Sequence, residues 1–526
     1  MKNSHALSLS LIIFAALVFA QLYGSITQND GHFVYPLDDP YIHMTIARNV
    51  AAGNGWGINA GEFSSGSSSV LFVLLNAFLI KIFGDFIWMP LFINWTAGLF
   101  TVAFLHWIFR RAGFTPFYNF AAVFILVLLI PLNILALMGM EHTIHVAASL
   151  VFLYFAACRI AGDTIFDRRG DLLALLSSAF ILGLIRYESL FMFCLAVPAL
   201  LIVRKFPDAL MTAVAGIAPM TVFGFFAIAS GGSFFPNPVL LKGMMGVVNA
   251  GNYPLVWLAG KLKLMFHTPF IFALMIVLLL TLDWLLGREE GGDFRIFFVL
   301  IAFMTVVLHT FFAALGWFAR YEAYLIAAGL TGVLLAAGPF CAAFRNMKFI
   351  RKISLAVISL TLLYPMISRG YTSNVQYGTA TANIYGQQCQ LARFVGLYYN
   401  DRCVAVNDVG TVSYFTKARI LDLYGLASND VTGYRMSGSY TSSEISLLCR
   451  KYRPGVAMIY DKWFYNLIPA GWTKVGEWEI QDNVVCGSPR VSFFSLDTDE
   501  TRNLINYFKE FSGKLPEGVT SELIYR

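Results

Sequence analysis

The run VLFVLLNAFLIKIF, residues 70–83, decides how the chain is threaded, because it is apolar enough to enter a membrane yet short. A helix needs about 20 apolar residues to cross a hydrocarbon core of about 30 Å. Counting residues 70–83 as a span would also put Arg110 and Arg111 outside and invert every later loop, against the rule that Lys and Arg gather on the cytoplasmic side. We therefore read this run as an interfacial helix lying against the outer leaflet.

The remaining apolar runs then fall into a consistent pattern. They cover residues 7–23, 87–109, 116–137, 143–160, 171–185, 189–203, 209–229, 267–286, 296–315, 321–343 and 353–368, roughly eleven spans. Basic loops separate them: Arg110-Arg111, Arg159 with Arg168-Arg169, Arg204-Lys205, Arg288 with Arg295, and Arg345 through Lys352. The first run follows Lys2 and His5 as a signal peptide would, but Gln21-Leu22-Tyr23 is too bulky for a cleavage site, so it reads as a retained span. Composition agrees: 58% of the 526 residues are hydrophobic and 13% charged, with mean hydropathy +0.66, whereas soluble proteins carry about 25% charged residues. The net charge of +6 sits in short loops, where orientation in the membrane explains it better than nucleic-acid binding. The expected organisation is a transmembrane domain, 1–368, with a first outer loop at 24–86, followed by a soluble extracytoplasmic domain, 369–526.

Carboxylates near a bilayer are costly, so the few acids at outer span ends carry the information. Asp38 and Asp39 stand in YPLDDPYIHMTIARN, followed by His43 and Arg48. Adjacent acids at a helix start serve either as caps or, functionally, as a general base that takes a proton from an acceptor hydroxyl. Glu141 in MGMEHTIH emerges on the same face, with His142 and His145 beside it. Two histidines with dispersed acids are too weak a pattern to assign a metal; a divalent ion stays an open addition. Arg186 and Glu188 in LIRYESLF form either an ion pair tethering a hairpin or part of the same site. In GGSFFPNPVLLKGMM, Asn237 lies in a proline-framed turn and Lys242 follows on a helical stretch; Arg320 opens a span in GWFARYEAYL. Lys242 serves either as a snorkelling side chain or as a phosphate partner, and Arg320, on the wrong side for the topology rule, favours phosphate.

These segments, in this order, resemble the GT-C superfamily of polyprenyl-phosphate-sugar-dependent transferases, most closely its branch of actinobacterial cell-wall arabinofuranosyltransferases. The resemblance rests on Asp38-Asp39, Gly139-Met140-Glu141, Arg186-Tyr187-Glu188, Pro236-Asn237-Pro238 with Lys242, and Arg320-Tyr321, together with Asp408, Gly410, Asp422 and Gly425 in the tail. It implies a multi-pass plasma-membrane enzyme that moves a sugar from a polyprenyl-phosphate donor to a glycan or lipid-linked acceptor on the outer face, with inversion. It further implies Asp38, Asp39 and Glu141 as catalytic residues, Asp38 being preferred as the first acid of the pair. Lys242, Arg320 and Arg186 would hold the donor phosphate, and His43, His142, Glu188, Asn237 and Tyr321 would contact substrate. Departures from the family pattern at His142, Tyr187, Ser189 and Pro238 bear on the sugar rather than the fold.

After Ser368 the chain turns polar, and CVAVND, ARILDLYG and GVAMIY read as strands of an α/β domain. No G-x-G-x-x-G follows a strand, so nucleotide binding is rejected. Trp463, Trp472 and Trp478, with Tyr460 and Phe464, serve either as a stacking platform for a glycan or as core; Asp408 and Asp422 end strand-like runs, where acids cap loops. Cys158, Cys194 and Cys341 lie in apolar runs, while Cys389, Cys403, Cys449 and Cys486 permit two disulfides in the tail, with pairing open. The competing function is a lipid or glycan transporter or flippase, which would show internal repeats and polar groups at mid-membrane depth; no repeat is evident. A ligase acting on a diphosphate-linked glycan shares the setting but lacks the early aspartate pair.

Overall fold

The computed structural model describes residues 2–244, 254–288, 293–345 and 347–525; the side chain of Cys341 lies outside this description. Helices occupy every range expected to span. Among the described residues, seven are long and apolar enough to cross a membrane: Asn3–Gln28, Met89–Arg111, His142–Ala161, Phe206–Ala229, Pro269–Leu286, Phe294–Phe312, and a continuous helical stretch Phe349–Tyr398. The other four expected spans are less regular. The 116–137 run is two helices, Pro116–Leu129 and Leu132–Leu137, interrupted at Pro131, which cannot donate its missing N–H. Arg168–Ile185 carries charge in its first turn, and Tyr187–Ile202 and the apolar part of Ala323–Arg345 are short.

The first three basic loops meet at one end of the bundle. Arg159 and Lys205 are tied there to Asp208 and to the Arg159 carbonyl, and Trp107 stacks on Phe166 beneath Arg111. At the other end, helix Asp39–Ala52 packs against helix Val70–Phe83. The latter buries Val70, Val73 and Ala77 and leaves Leu74, Phe78 and Ile82 outward. That apolar stripe suits a helix resting against acyl chains.

The C-terminal domain is a mixed sheet in the order β2-β1-β3-β5-β4-β6, formed by Cys403–Val406 (β1), Arg419–Asp422 (β2), Val456–Ile459 (β3), Thr473–Ile480 (β4), Arg490–Ser495 (β5) and Val519–Leu523 (β6). Strands β1, β2 and β3 are parallel and the remaining pairings antiparallel. The expected division at 368/369 falls inside the helix Phe349–Ile384, which runs unbroken into the sheet domain. One apolar cluster joins the sheet to the first loop, bringing Ile42, Ile46, Trp56 and Val73 together with Val404, Val406, Trp478 and Phe493. The aromatic residues considered as a glycan platform belong largely to the core. Trp478, Tyr460 and Phe464 are each at most 1% exposed, and Trp472 packs on Phe494. Cys389, Cys403, Cys449 and Cys486 are all free thiols.

Candidate active site

A cleft of about 320 Å³ opens at the end of the bundle away from the basic loops. Six of the residues singled out from sequence line it: Asp39, Arg186, Glu188, Lys242, Arg320 and Tyr321. Its remaining walls are mostly apolar, with Leu190, Phe191, Phe235, Val239 and Phe312 beside Ser68.

Arg320 is the most constrained of these groups. It is 1% exposed and donates from Nη2 to Asp39 Oδ2 at 2.5 Å and to the Tyr321 hydroxyl at 3.0 Å, while its Nε and Nη1 have no hydrogen-bond partner among the described residues. A buried guanidinium with unused donors is costly. The backbone that delivers it is also strained. Gly316, Trp317, Phe318 and Ala319 take φ of 85°, 48°, 60° and 62°, and each non-glycine residue in this left-handed region costs about 1–2 kcal/mol. Glu322 holds the turn, accepting from the Gly316 N–H at 2.8 Å and from Arg369 Nε at 2.8 Å, and Arg369 also donates to the Ala319 carbonyl. Such strain persists where surrounding structure over-determines it, typically at functional sites.

Lys242 Nζ lies 3.7 Å from Asp39 Oδ2 and is about one-third exposed, at 33%. Burial alone would raise the Asp39 carboxyl, but Lys242 and then Arg320 outweigh it and hold Asp39 well below the usual carboxylate range. Arg186 is already satisfied: it bonds Glu188 through Nε at 3.0 Å and Glu141 through Nη1 at 2.7 Å, with His142 Nε2 at 3.1 Å. Glu141 is fully buried, receives Ser68 Oγ at 3.1 Å, and has His43 Nε2 at 3.9 Å. Glu141, His43 and His142 therefore form the layer behind the cleft. Asn237 is buried and bonded to Asn429 of the tail at 3.1 Å, next to Pro238 of the cleft wall.

Asp38 is not in the cleft. Its Oδ2 accepts from the Gly410 N–H at 2.6 Å, and its Oδ1 from the Thr411 N–H at 2.8 Å and Thr411 Oγ1 at 3.0 Å. It makes no side-chain cap bond to its own helix. Both the capping role and the preference for Asp38 as the base meet the same obstacle, since its carboxylate is already engaged by the C-terminal domain. Asp408 lies nearby and accepts from Tyr460 OH at 2.6 Å and Gln388 Nε2 at 3.0 Å. Burial pushes both carboxyls up, and for Asp408 the charge of Asp38 adds to the rise. Asp422 does cap a loop, accepting from the N–H groups of Tyr424, Gly425 and Ala427. No group of three or more His, Cys, Asp or Glu side chains suited to a metal ion occurs among the described residues. Sequence reasoning missed the cleft's aromatic walls and Ser68. Phe235 in the proline-framed turn and Ser68 in the stretch GEFSSGSSS, residues 61–69, carried the only available hint.

A family model described as a domain of unknown function, DUF8728, matches residues 382–494. No curated protein matches the sequence. The crystal structure of ArnT from Cupriavidus metallidurans in the apo state matches with a TM-score of 0.51 and 11% identity over 93% of this chain and 98% of that one. The structure of ArnT from Cupriavidus metallidurans bound to undecaprenyl phosphate gives 0.49, with 11% identity and the same coverage. The likeness to the apo structure is one of fold: a bundle of helices, seven of them among the described residues long and apolar enough to cross a membrane, with a C-terminal α/β region.

Proposed function

We propose that the chain is a membrane glycosyltransferase taking sugar from a polyprenyl-phosphate donor, with the cleft as its active site. The observation that carries this reading is Arg320, whose Nε and Nη1 donors, without a hydrogen bond among the described residues, are buried beside Lys242 in a pocket walled largely by apolar side chains. That combination fits an anionic head joined to a hydrocarbon tail.

Asp39 is the acid we assign as general base. Paired with both cations, it is a poor base. A donor phosphate competes for Arg320 and Lys242, loosens their hold on Asp39 and adds a negative charge beside it. All three effects raise its proton affinity when an acceptor hydroxyl must be deprotonated. Phosphate leaves with its charge held by Arg320 and Lys242, while Arg186, braced by Glu141 and Glu188, shapes the wall. Inversion, a glycan or lipid-linked acceptor and the arabinofuranosyltransferase-like branch are finer parts of the proposal, resting on motif order in the sequence. The C-terminal domain on the outer face rests on loop charge.

The test is turnover by purified protein supplied with polyprenyl-phosphate sugars, read by mass spectrometry of the product. Sugar transfer that disappears in Asp39→Asn supports the reading, and no transfer from any such donor overturns it. A reporter fused after Arg526 that is active only outside the cytoplasm checks the topology separately.

A further inference from the structure

The carboxylate of Asp38 finds no partner in its own loop. All three of its hydrogen bonds come from Gly410 and Thr411, which lie 372 and 373 residues away in sequence. Those residues are the first turn of the helix Gly410–Phe415, which follows β1 after a short link, and nothing larger than glycine fits the first position. A Cβ on Gly410 would lie 2.0 Å from the Asp38 carbonyl oxygen and 2.8 Å from its Oδ2. Further contacts fix the turn against the same loop: Thr45 Oγ1 meets Ser413 Oγ at 3.1 Å, and Arg48 donates to the Tyr414 carbonyl at 2.7 Å. Behind the turn, Asn407 Oδ1 accepts from the Tyr460 N–H at 2.8 Å, tying the ends of β1 and β3 together.

We propose that Asp38 is a positioning residue, gripped by a socket at Gly410–Thr411, through which the C-terminal domain sets where Asp39 stands in the cleft. The inference rests on Asp39 being the reacting acid. Consecutive Cα atoms are about 3.8 Å apart and rigidly linked, so a socket that moves takes the next residue with it. A misplacement of about 1 Å at a reacting group costs about 10²-fold in rate. Asp38 thereby acts on the chemistry without touching substrate, and the sheet domain is a working part of the active site.

The experiment uses the full-length chain in lipid nanodiscs, with kcat per folded molecule, binding of polyprenyl phosphate alone, and hydrogen exchange at Gly410 and Thr411. Gly410→Ala is expected to lower kcat about 10- to 100-fold while leaving polyprenyl-phosphate affinity in place, and Thr411→Val to lower it less. Asp38→Asn combined with Gly410→Ala should cost no more than the worse single change, because both break one contact. Loss on Asp38→Asn with wild-type kcat in both socket variants would make Asp38 the reacting acid and overturn the proposal. Unchanged kcat in all variants, with only the folded fraction reduced, would overturn it too. Exchange decides the contact without any turnover: the two amides should be protected in the wild type and exposed in Asp38→Ala, and equal protection in both refutes the socket. A wild type that transfers no sugar would therefore remove the glycosyltransferase reading separately from the socket.

Discussion

Asp38 and Asp39 are joined by one peptide bond, yet they belong to a joint and to a cleft, and the two regions differ in how their hydrogen-bonding capacity is used. At the joint the two oxygens of Asp38 are met by three donors from Gly410 and Thr411. In the cleft Asp39 shares two cations, and Arg320 keeps two buried donors without a hydrogen bond among the described residues. Electrostatics follows the same division: burial pushes Asp38 up, whereas for Asp39 the effect of burial is outweighed by Lys242 and Arg320, which pull it down. A satisfied buried group holds structure together; an unsatisfied one beside an opening can take up a further hydrogen bond.

The sharpest way to break this comparison is to neutralise the cleft acid. Asp39→Asn should lower turnover of polyprenyl-phosphate sugar by about 10²- to 10⁴-fold in protein matched for folded amount. A rate near wild type would erase the distinction between the two aspartates. Next in size is Arg320→Gln, for which we expect about 10²- to 10³-fold in kcat together with weakened donor binding. Arg320→Lys should recover little of that loss, because a point charge cannot replace the guanidinium fork; full recovery would reduce Arg320 to a simple charge. Lys242→Ala should cost about tenfold in donor affinity and less in kcat, since this partly exposed ammonium is screened by solvent. A titration with polyprenyl phosphate measures it, and unchanged affinity would return Lys242 to snorkelling.

The joint makes the smallest prediction, in pH. The folded-state pKa of Asp408 is raised by burial and by Asp38. Its contribution to stability is therefore complete below the unfolded carboxylate value and is lost as pH rises through the folded value. Between about pH 5 and about pH 9 the melting temperature of the wild type should fall relative to Asp408→Asn, which cannot ionise there. Parallel curves would mean that Asp408 does not carry the drift.

Much of this was legible in the sequence because membrane helices announce themselves by length and apolarity, and because acids and cations at outer span ends are rare enough to stand out. Helices fill every expected range, and Asp39, Arg186, Glu188, Lys242, Arg320 and Tyr321 converge on one cleft. The division of labour within Asp38-Asp39 was not legible. It depends on Gly410 and Thr411, and contacts that far apart leave no local periodicity to read. Nor does Trp317-Phe318-Ala319 advertise a left-handed turn, since none of these residues favours one. Their conformation is imposed by Glu322 and Arg369. The tail aromatics stay open between platform and core in the sequence for a related reason: composition cannot separate a ring that stacks on a ligand from one that fills a core.

The distance along the chain between Asp38 and its partners also has a meaning in time. A ribosome adds about 5–20 residues per second, so Thr411 emerges roughly 20–75 s after Asp38. For that interval the first loop stands in water with its carboxylates solvated while most of the membrane helices are being made. Insertion into the bilayer and completion of the site are thus separate events in the life of a nascent chain. A polypeptide interrupted near residue 400 would already have the helical stretch that leads to the sheet, and would still lack the two residues that grip Asp38.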